Sequence, residues 1–384
     1  MQRLSFLAIV LAGSACGTDV GEDGSDLPFP YEALRGGFVF ATSAIVGSAG
    51  YDLYWAPVPD GGDVSSVPFE RLTDGSENDW QPSAALSGRG LAFARDSGIH
   101  VISSSGRVKR ISDTRDSTFV DSLPAVSPDA DRVAWVREDT SRPIGQTGYF
   151  EAYIMMAAFD GTNVREVQPS RGFVQDAPAF DPDLKRPRIG WSEFDPAGVV
   201  AAFGPRNYGI YVYDYVAEAG DFVCQSVDGI TPGANAVTPP ADGRSFRCFG
   251  QHLAWPLTDT LVLGQGLLEI STIGRPLAST YPGILDSMQS QQTGFPFTDP
   301  RPDGFHPPFP ISVSFSNDAR QLFLFDGVVG SVEGDQPTLG FFAARYDGGG
   351  LFRIRIAGLV EDIDTITTRD YLLSVATPAI IPSF

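Results

Sequence analysis

Three aspartates recur at one place in a repeated pattern. Asp79, Asp121 and Asp176 each stand two or three residues before a proline (Pro82, Pro124 and Pro178), where a short apolar segment begins. Carboxylates brought together from separate segments attract a cation or a basic peptide. The same residue also caps turns by accepting backbone N–H bonds, so both readings stand. A second group lies in Thr293 to Pro310, TGFPFTDPRPDGFHPPFP, where Asp299, Arg301, Asp303 and His306 offer polar contacts and Phe295, Phe297, Phe305 and Phe309 apolar ones. Its prolines forbid a central strand and stiffen an extended path. It reads as a lid or ligand loop, or as a loop pinned by its own Phe rings.

Other chemistry is sparse. The three histidines, His100, His252 and His306, are not paired by any HExxH, and there is no GxSxG, P-loop or GxGxxG. No CxxC and no Cys/His spacing for zinc occurs. Asp181-Pro182-Asp183 and Glu361-Asp362-Ile363-Asp364 lack EF-hand ligand spacing. No cofactor is expected. An enzyme whose acids or metal ligands come singly from several segments remains open, because position along the chain cannot pair them. The net charge of −20 repels phosphate backbones and anionic headgroups, which argues against nucleic acid and direct membrane binding.

The elements that must position these residues are short strands. Gly 42 and Pro 30 are high, 27 Phe and 12 Tyr are present, and no long segment holds a helical apolar period. Pro124 to Trp135, PAVSPDADRVAW, reads as strand, tight turn, strand, and copies recur at Pro82–Phe93, Pro178–Trp191, Leu253–Leu263 and Val313–Leu324. A third apolar strand follows each copy, at Ile99–Ile102, Tyr153–Met156, Ile210–Tyr213, Leu267–Ile270 and Phe341–Ala344. A fourth follows, as at Val108–Ile111 and Leu351–Ile354, in two cases through Asp-Gly turns. Four antiparallel strands repeated every few tens of residues is the pattern of a β-propeller.

SPDADRVAW followed by FDGTNVREV resembles the TolB-type propeller repeat. The resemblance spans residues 36–384, is strongest over 80–192 and 311–356, and implies fold more than function. TolB carries an α/β domain before its propeller. Here the stretch between Cys16 and the first strand is too short for one, so TolB's partners are not carried over.

The expected fold is all-β, a six-bladed propeller of four-stranded antiparallel blades. The termini complete the sixth blade: Phe38–Ala41, Asp52–Trp55 and Phe69–Leu72 lack a first strand, which Thr377–Ile380 supplies. Such closure removes two exposed sheet edges. First-to-second and third-to-fourth turns are mostly short. The long insertions Glu138–Gly148, Glu193–Tyr208, Asp228–Gly250, Ser271–Pro310 and Ala357–Ala376 all fall at the opposite end. Long loops on a rigid scaffold are where function usually sits, and Asp79, Asp121 and Asp176 would ring the channel mouth.

The N-terminus completes the expectation. Arg3, the apolar run Leu4–Ala12 and the small residues Gly13-Ser14-Ala15 read as a signal peptide, residues 1–15. Cys16 then resembles the lipidated first residue of a bacterial lipoprotein, with Gly13 departing from the usual Leu. Residues 16–35 read as a flexible acidic tether. Cys224 and Cys248 are left as a possible disulfide in an oxidising compartment, worth about 3 kcal/mol. These features point to an exported monomer at the periplasm or cell surface, touching membrane only through a lipid anchor. Its expected role is a non-catalytic module that binds a protein or peptide through the long-loop face. The alternatives are a propeller hydrolase or lyase, with a metal or carboxylate pair at the channel mouth, and a structural envelope protein.

Overall fold

The computed structural model of the chain describes residues 36–43, 50–59, 66–73, 77–85, 87–103, 106–113, 118–146, 148–168, 174–180, 184–185, 187–200, 204–225, 252–254, 260–264, 268–272, 309–315, 322–329, 338–345, 352–358 and 379–380. These form antiparallel sheets. β1 (Gly37–Thr42), β2 (Asp52–Pro57) and β3 (Glu70–Arg71) form the first with a strand from the far end of the chain. β4 (Asp79–Ala84), β5 (Leu91–Arg95), β6 (Gly98–Ile102) and β7 (Val108–Arg110) form the second. β8 (Phe119–Val126), β9 (Arg132–Pro143), β10 (Phe150–Ala158) and β11 (Arg165–Glu166) follow, then β12 (Val174–Phe180), β13 (Arg188–Val200), β14 (Gly204–Asp214) and β15 (Ala219–Gln225). A single parallel pair, Ala152 with Val174, joins these two sets. β16 (His252–Ala254), β17 (Thr260–Gly264) and β18 (Leu268–Thr272) make a three-stranded sheet. β19 (Phe309–Phe315), β20 (Leu322–Val329), β21 (Thr338–Arg345) and β22 (Phe352–Ile354) make another of four. β23 (Ala379–Ile380) pairs antiparallel with β1, Phe38 opposite Ile380 and Val39 opposite Ala379.

The local chemistry is clearest at Pro124–Trp135. β8 ends at Val126, and the Ser127 hydroxyl closes the turn: it accepts the Arg132 N–H at 2.9 Å and donates to Asp129 at 2.7 Å. Asp160 does the same for the turn after β10, accepting the backbone N–H and hydroxyl of Thr162 at 2.9 and 2.6 Å. Short polar side chains bonding their own backbone make such turns tight.

Alternate residues of a strand face opposite sides, and here both sides are apolar. Val39 and Ala41 of β1 pack with Leu91 and Phe93 of β5. Ala92 and Ala94, on the other side of β5, pack with Val133 and Trp135 of β9. Ala134 and Val136 turn the other way, onto Ile189 and Trp191 of β13. The sheets of β5 and β9 are therefore slabs between two neighbours. Along the chain β4 packs beside β8, β8 beside β12, β12 beside β16, β16 beside β19, β19 beside β23 and β23 beside β4.

The first and last sheets meet at an aromatic seam. Phe38 and Phe40 lie with ring centroids 5.3 and 4.8 Å from Phe341, Tyr54 stacks on Phe40 at 5.7 Å, and Phe69 abuts Tyr54 at 5.4 Å. At the outer edge of the same seam Val67 bridges Ile356 in parallel. The Val67 N–H donates to the Arg355 carbonyl at 2.7 Å, and the Ala357 N–H to the Val67 carbonyl at 3.0 Å.

Two expected loops are strand instead. Much of Glu138–Gly148 belongs to β9, which runs 12 residues, and much of Glu193–Tyr208 belongs to β13 and β14, 13 and 11 residues long. Their residues pair across, as in Glu138 with Ala152 and Phe194 with Tyr208, so backbone hydrogen bonding extends each hairpin. The insertions at Asp228–Gly250, Ser271–Pro310 and Ala357–Ala376 lie largely outside the described residues.

Phe40 is fully buried against three rings. Phe40→Ala is expected to lower the unfolding free energy by about 3–5 kcal/mol in urea titration. Val216→Ala, at a position 70 % exposed, should stay within about 0.5 kcal/mol.

Candidate functional site

Asp79 and Asp121 occupy equivalent places. Each lies in the first strand of its sheet, directly opposite an arginine of the second strand: Asp79 opposite Arg95, Asp121 opposite Arg137. Both pairs are bidentate, at 2.5 and 2.8 Å for Arg95 and 2.7 and 2.7 Å for Arg137, and each Asp is 1 % exposed. Forked guanidinium–carboxylate contacts of this length are the strong kind of hydrogen bond. The Asp79 hydrogen bonds raise the Arg95 pKa above its ordinary value; at Arg137 burial pushes down, and the Asp121 carboxylate more than offsets it. Arg95 also lies over the Phe93 ring, and Arg137 over Phe119, at 5.3 and 5.1 Å.

The backbone of the same aspartates ties sheets together. The Asp79 N–H donates to the Tyr51 carbonyl at 2.8 Å, and the Asp121 N–H to the Ser97 carbonyl at 3.1 Å; each acceptor belongs to the preceding sheet. The prolines that follow sit in bulges, where the register shifts between Trp80 and Ser83 and between Ser122 and Ala125. Gln81 and Leu123, each just before its proline, take φ of 52° and 49°. The Gln81 side chain accepts the Leu123 N–H at 2.8 Å, linking one bulge to the next. Such bulges re-aim side chains at the start of a strand.

The third copy departs. Gln175, three residues before its proline, takes the place of Asp79 and Asp121 and lies opposite Glu193, where the other copies have arginine; Asp176 is one residue on, opposite Ser192. Gln175 accepts the Ile154 N–H at 2.9 Å and donates to Glu193 at 3.3 Å, and Glu193 also accepts from the Trp191 indole at 3.0 Å. The equivalent Trp135 indole is buried with no partner. The residues missed from the sequence are Arg95 and Arg137. Their signal was there: each follows its Asp by 16 residues, in Phe93-x-Arg95 and Trp135-x-Arg137.

Both Asp–Arg pairs stand at the end of the sheet from which the second-to-third hairpins project, with Arg137 immediately before the extended part of β9. β5 and β6, of 5 residues each, turn at once through Asp96 and Ser97, both at positive φ. The β9–β10 hairpin continues well beyond. Arg142 braces it by pairing with Asp139 and Glu151, each at 3.2 Å, and Ile144 and Tyr149 near its tip pack back onto the core. Cys224 falls in β15 and His252 in β16. Asp299, Arg301, Asp303, His306, Cys16 and Cys248 lie outside the described residues. Among the described residues no group of three or more His, Cys, Asp or Glu is placed to hold a metal ion.

His100 sits in β6 with its ring stacked on Phe93 at 5.7 Å and its Nδ1 buried without a partner. Burial, then the positive charges of Arg95 and Arg110, bring its pKa down from 6.5 to about 4.

No protein-family model matches the chain, and no curated protein matches it either. Solved structures do. One is from a nidogen/laminin complex, at 11 % identity and TM-score 0.50, covering 89 % of this chain and 97 % of the other. Another is TolB from Acinetobacter baumannii, at 13 % identity and TM-score 0.50, covering 91 % of this chain and 67 % of the other. At this identity the likeness shows the fold: an all-β architecture of the β-propeller type.

Two outcomes are expected. Asp121→Asn removes the charge that Arg137 needs in its buried position and should cost about 3–5 kcal/mol in chemical denaturation. Asp121→Leu combined with Arg137→Met should cost far less, because no unpaired charge remains. For His100 the folded pKa lies below the unfolded one, so its contribution is fully present above pH 6.5 and drains away as pH falls toward 4. His100→Phe should flatten the stability profile across that window by a few kcal/mol relative to the parent protein.

Proposed function

We propose that the chain is an exported, non-catalytic binding module. Its sheets are the blades of a six-bladed ring closed by β23, and it holds a protein or peptide on the rim that carries the extended hairpins. The carrying observation is that neighbouring sheets lengthen the same connection. β9–β10 and β13–β14 both run far beyond β5–β6, and both leave their sheets at one end. Ordered strand costs more to build than slack loop, and a paired, salt-bridged hairpin is a rigid presenting surface. The Asp121–Arg137 pair fixes the root of one such hairpin. The packing order of the first strands, from β4 round to β23 and back, supports the ring. The nidogen/laminin complex supports a protein partner for this fold type. The signal peptide at 1–15, the lipid on Cys16 and the Cys224–Cys248 bridge belong to the same proposal and place the rim at the periplasm or cell surface.

The test replaces residues 141–149 by a two-residue Asn-Gly turn, a change confined to the β9–β10 tip. The shortened protein should stay folded, with a midpoint lowered by the loss of the Ile144 and Tyr149 packing, and lose the partners that the parent chain captures by crosslinking in envelope preparations. Unchanged capture would place binding elsewhere. A stoichiometric metal ion in the gently purified protein, released on mutation of Asp176, would replace this reading with the hydrolase or lyase one.

A further inference from the structure

Among the described residues the large apolar side chains left in solvent are Val164, Leu184 and Val216, 43, 63 and 70 % exposed. They share one place. Val164 lies in the turn from β10 to β11, Leu184 in the turn from β12 to β13 and Val216 in the turn from β14 to β15, all at the end away from the extended hairpins. Single exposed apolar residues are ordinary; a group of them on adjoining turns marks a contact surface.

These turns are fixed before anything docks on them. Asp214 accepts the N–H groups of Val216 and Ala217 at 2.9 and 2.8 Å, and the Tyr215 N–H donates to the Pro187 carbonyl at 2.9 Å. Arg165, next to Val164, donates to the Tyr215 carbonyl and pairs with Glu218, each at 3.3 Å, which ties the two neighbouring sheets together here. A surface held in this way loses little freedom on binding. The Arg165–Glu218 pair itself stands in solvent, so it is weak and open to exchange.

We propose that this surface joins two copies of the chain across a two-fold axis. The three apolar side chains meet at the centre, with Arg165 of each copy against Glu218 of the other. The occupant follows from charge. A two-fold interface must be its own complement, and opposite charges flanking one apolar group meet that condition. The net charge of −20 drives whole copies apart, so contact is confined to a patch where the signs alternate. Three side chains fall well short of the roughly 800 Å² per partner of a stable interface, so the dimer is weak and concentration-dependent. It leaves the hairpin rim of each copy free and does not depend on what that rim binds.

The experiment is sedimentation equilibrium on the full chain, from about 10 µM to about 1 mM. Raising salt from about 0.1 M to about 1 M shortens the Debye length from about 10 Å to about 3 Å and should strengthen association at least about fivefold, because the repulsion is screened and the apolar contact is not. Val216→Asp, at an exposed turn position, should keep its unfolding midpoint and stay monomeric. Glu218→Arg and Arg165→Glu should each fail to self-associate, while their equimolar mixture forms a heterodimer, since only there does arginine face glutamate across the axis. Should Arg165→Glu fail to fold, Val216→Asp and Glu218→Arg still decide. A parent chain monomeric at about 1 mM in high salt would overturn the proposal. So would association that survives Val216→Asp, or a mixture that associates no better than either variant alone. A monomer whose Val216→Cys variant crosslinks to a different protein in envelope preparations would assign the surface to that protein instead.

Discussion

Two-sided burial governs this structure. A strand that alternates polar and apolar residues needs one partner; a strand apolar on both faces needs two. β1 is buried at every position, and β5 at four of its five. A sheet built from such strands cannot stand at the end of a stack, because one face would meet water. The bare face of such a sheet must be covered, and at the first sheet Phe38 and Phe40 meet Phe341. The small residues Ala92, Ala94 and Ala134 are set against the large Trp135 and Trp191, which lets neighbouring slabs approach closely.

Charge is handled on the same plan. An aspartate at the entry to a sheet has its carboxylate held by an arginine of the next strand and its N–H held by the preceding sheet. The side chain fixes its own sheet while the main chain fixes the spacing between sheets. Such a pair is weak as net stabilisation and strong as a constraint, because either partner alone would be a buried charge. It repeats at Asp79 and Asp121, and at the same register of the third copy Gln175 and Glu193 replace it.

Much of this was legible in the residues. The turns at Ser127–Asp131 and Asp160–Thr162 declare themselves through side chains that bond their own backbone, and period-two apolar runs mark the strands on either side. The pairing of the C-terminal segment with Phe38 follows from counting strands and finding one missing at each end. The partners of Asp79 and Asp121 were harder to see. A side-chain pair across a sheet depends on register, and the proline bulges shift that register by a residue or more. The hairpin at 138–148 reads as a loop because it is polar, and that at 193–208 because prolines and glycines interrupt its apolar residues. Their order comes from cross-strand backbone bonds, which leave no mark on composition.

The seam also bears on how the protein is made. Sheets two and three can dock on what precedes them as they leave the ribosome, since Asp79 and Asp121 bond backward to Tyr51 and Ser97. Phe38 and Phe40 cannot, because Phe341 emerges some three hundred residues later. At about 5–20 residues per second, that leaves an apolar N-terminal face bare for on the order of tens of seconds. The growing chain thus carries an adhesive leading edge through most of its synthesis.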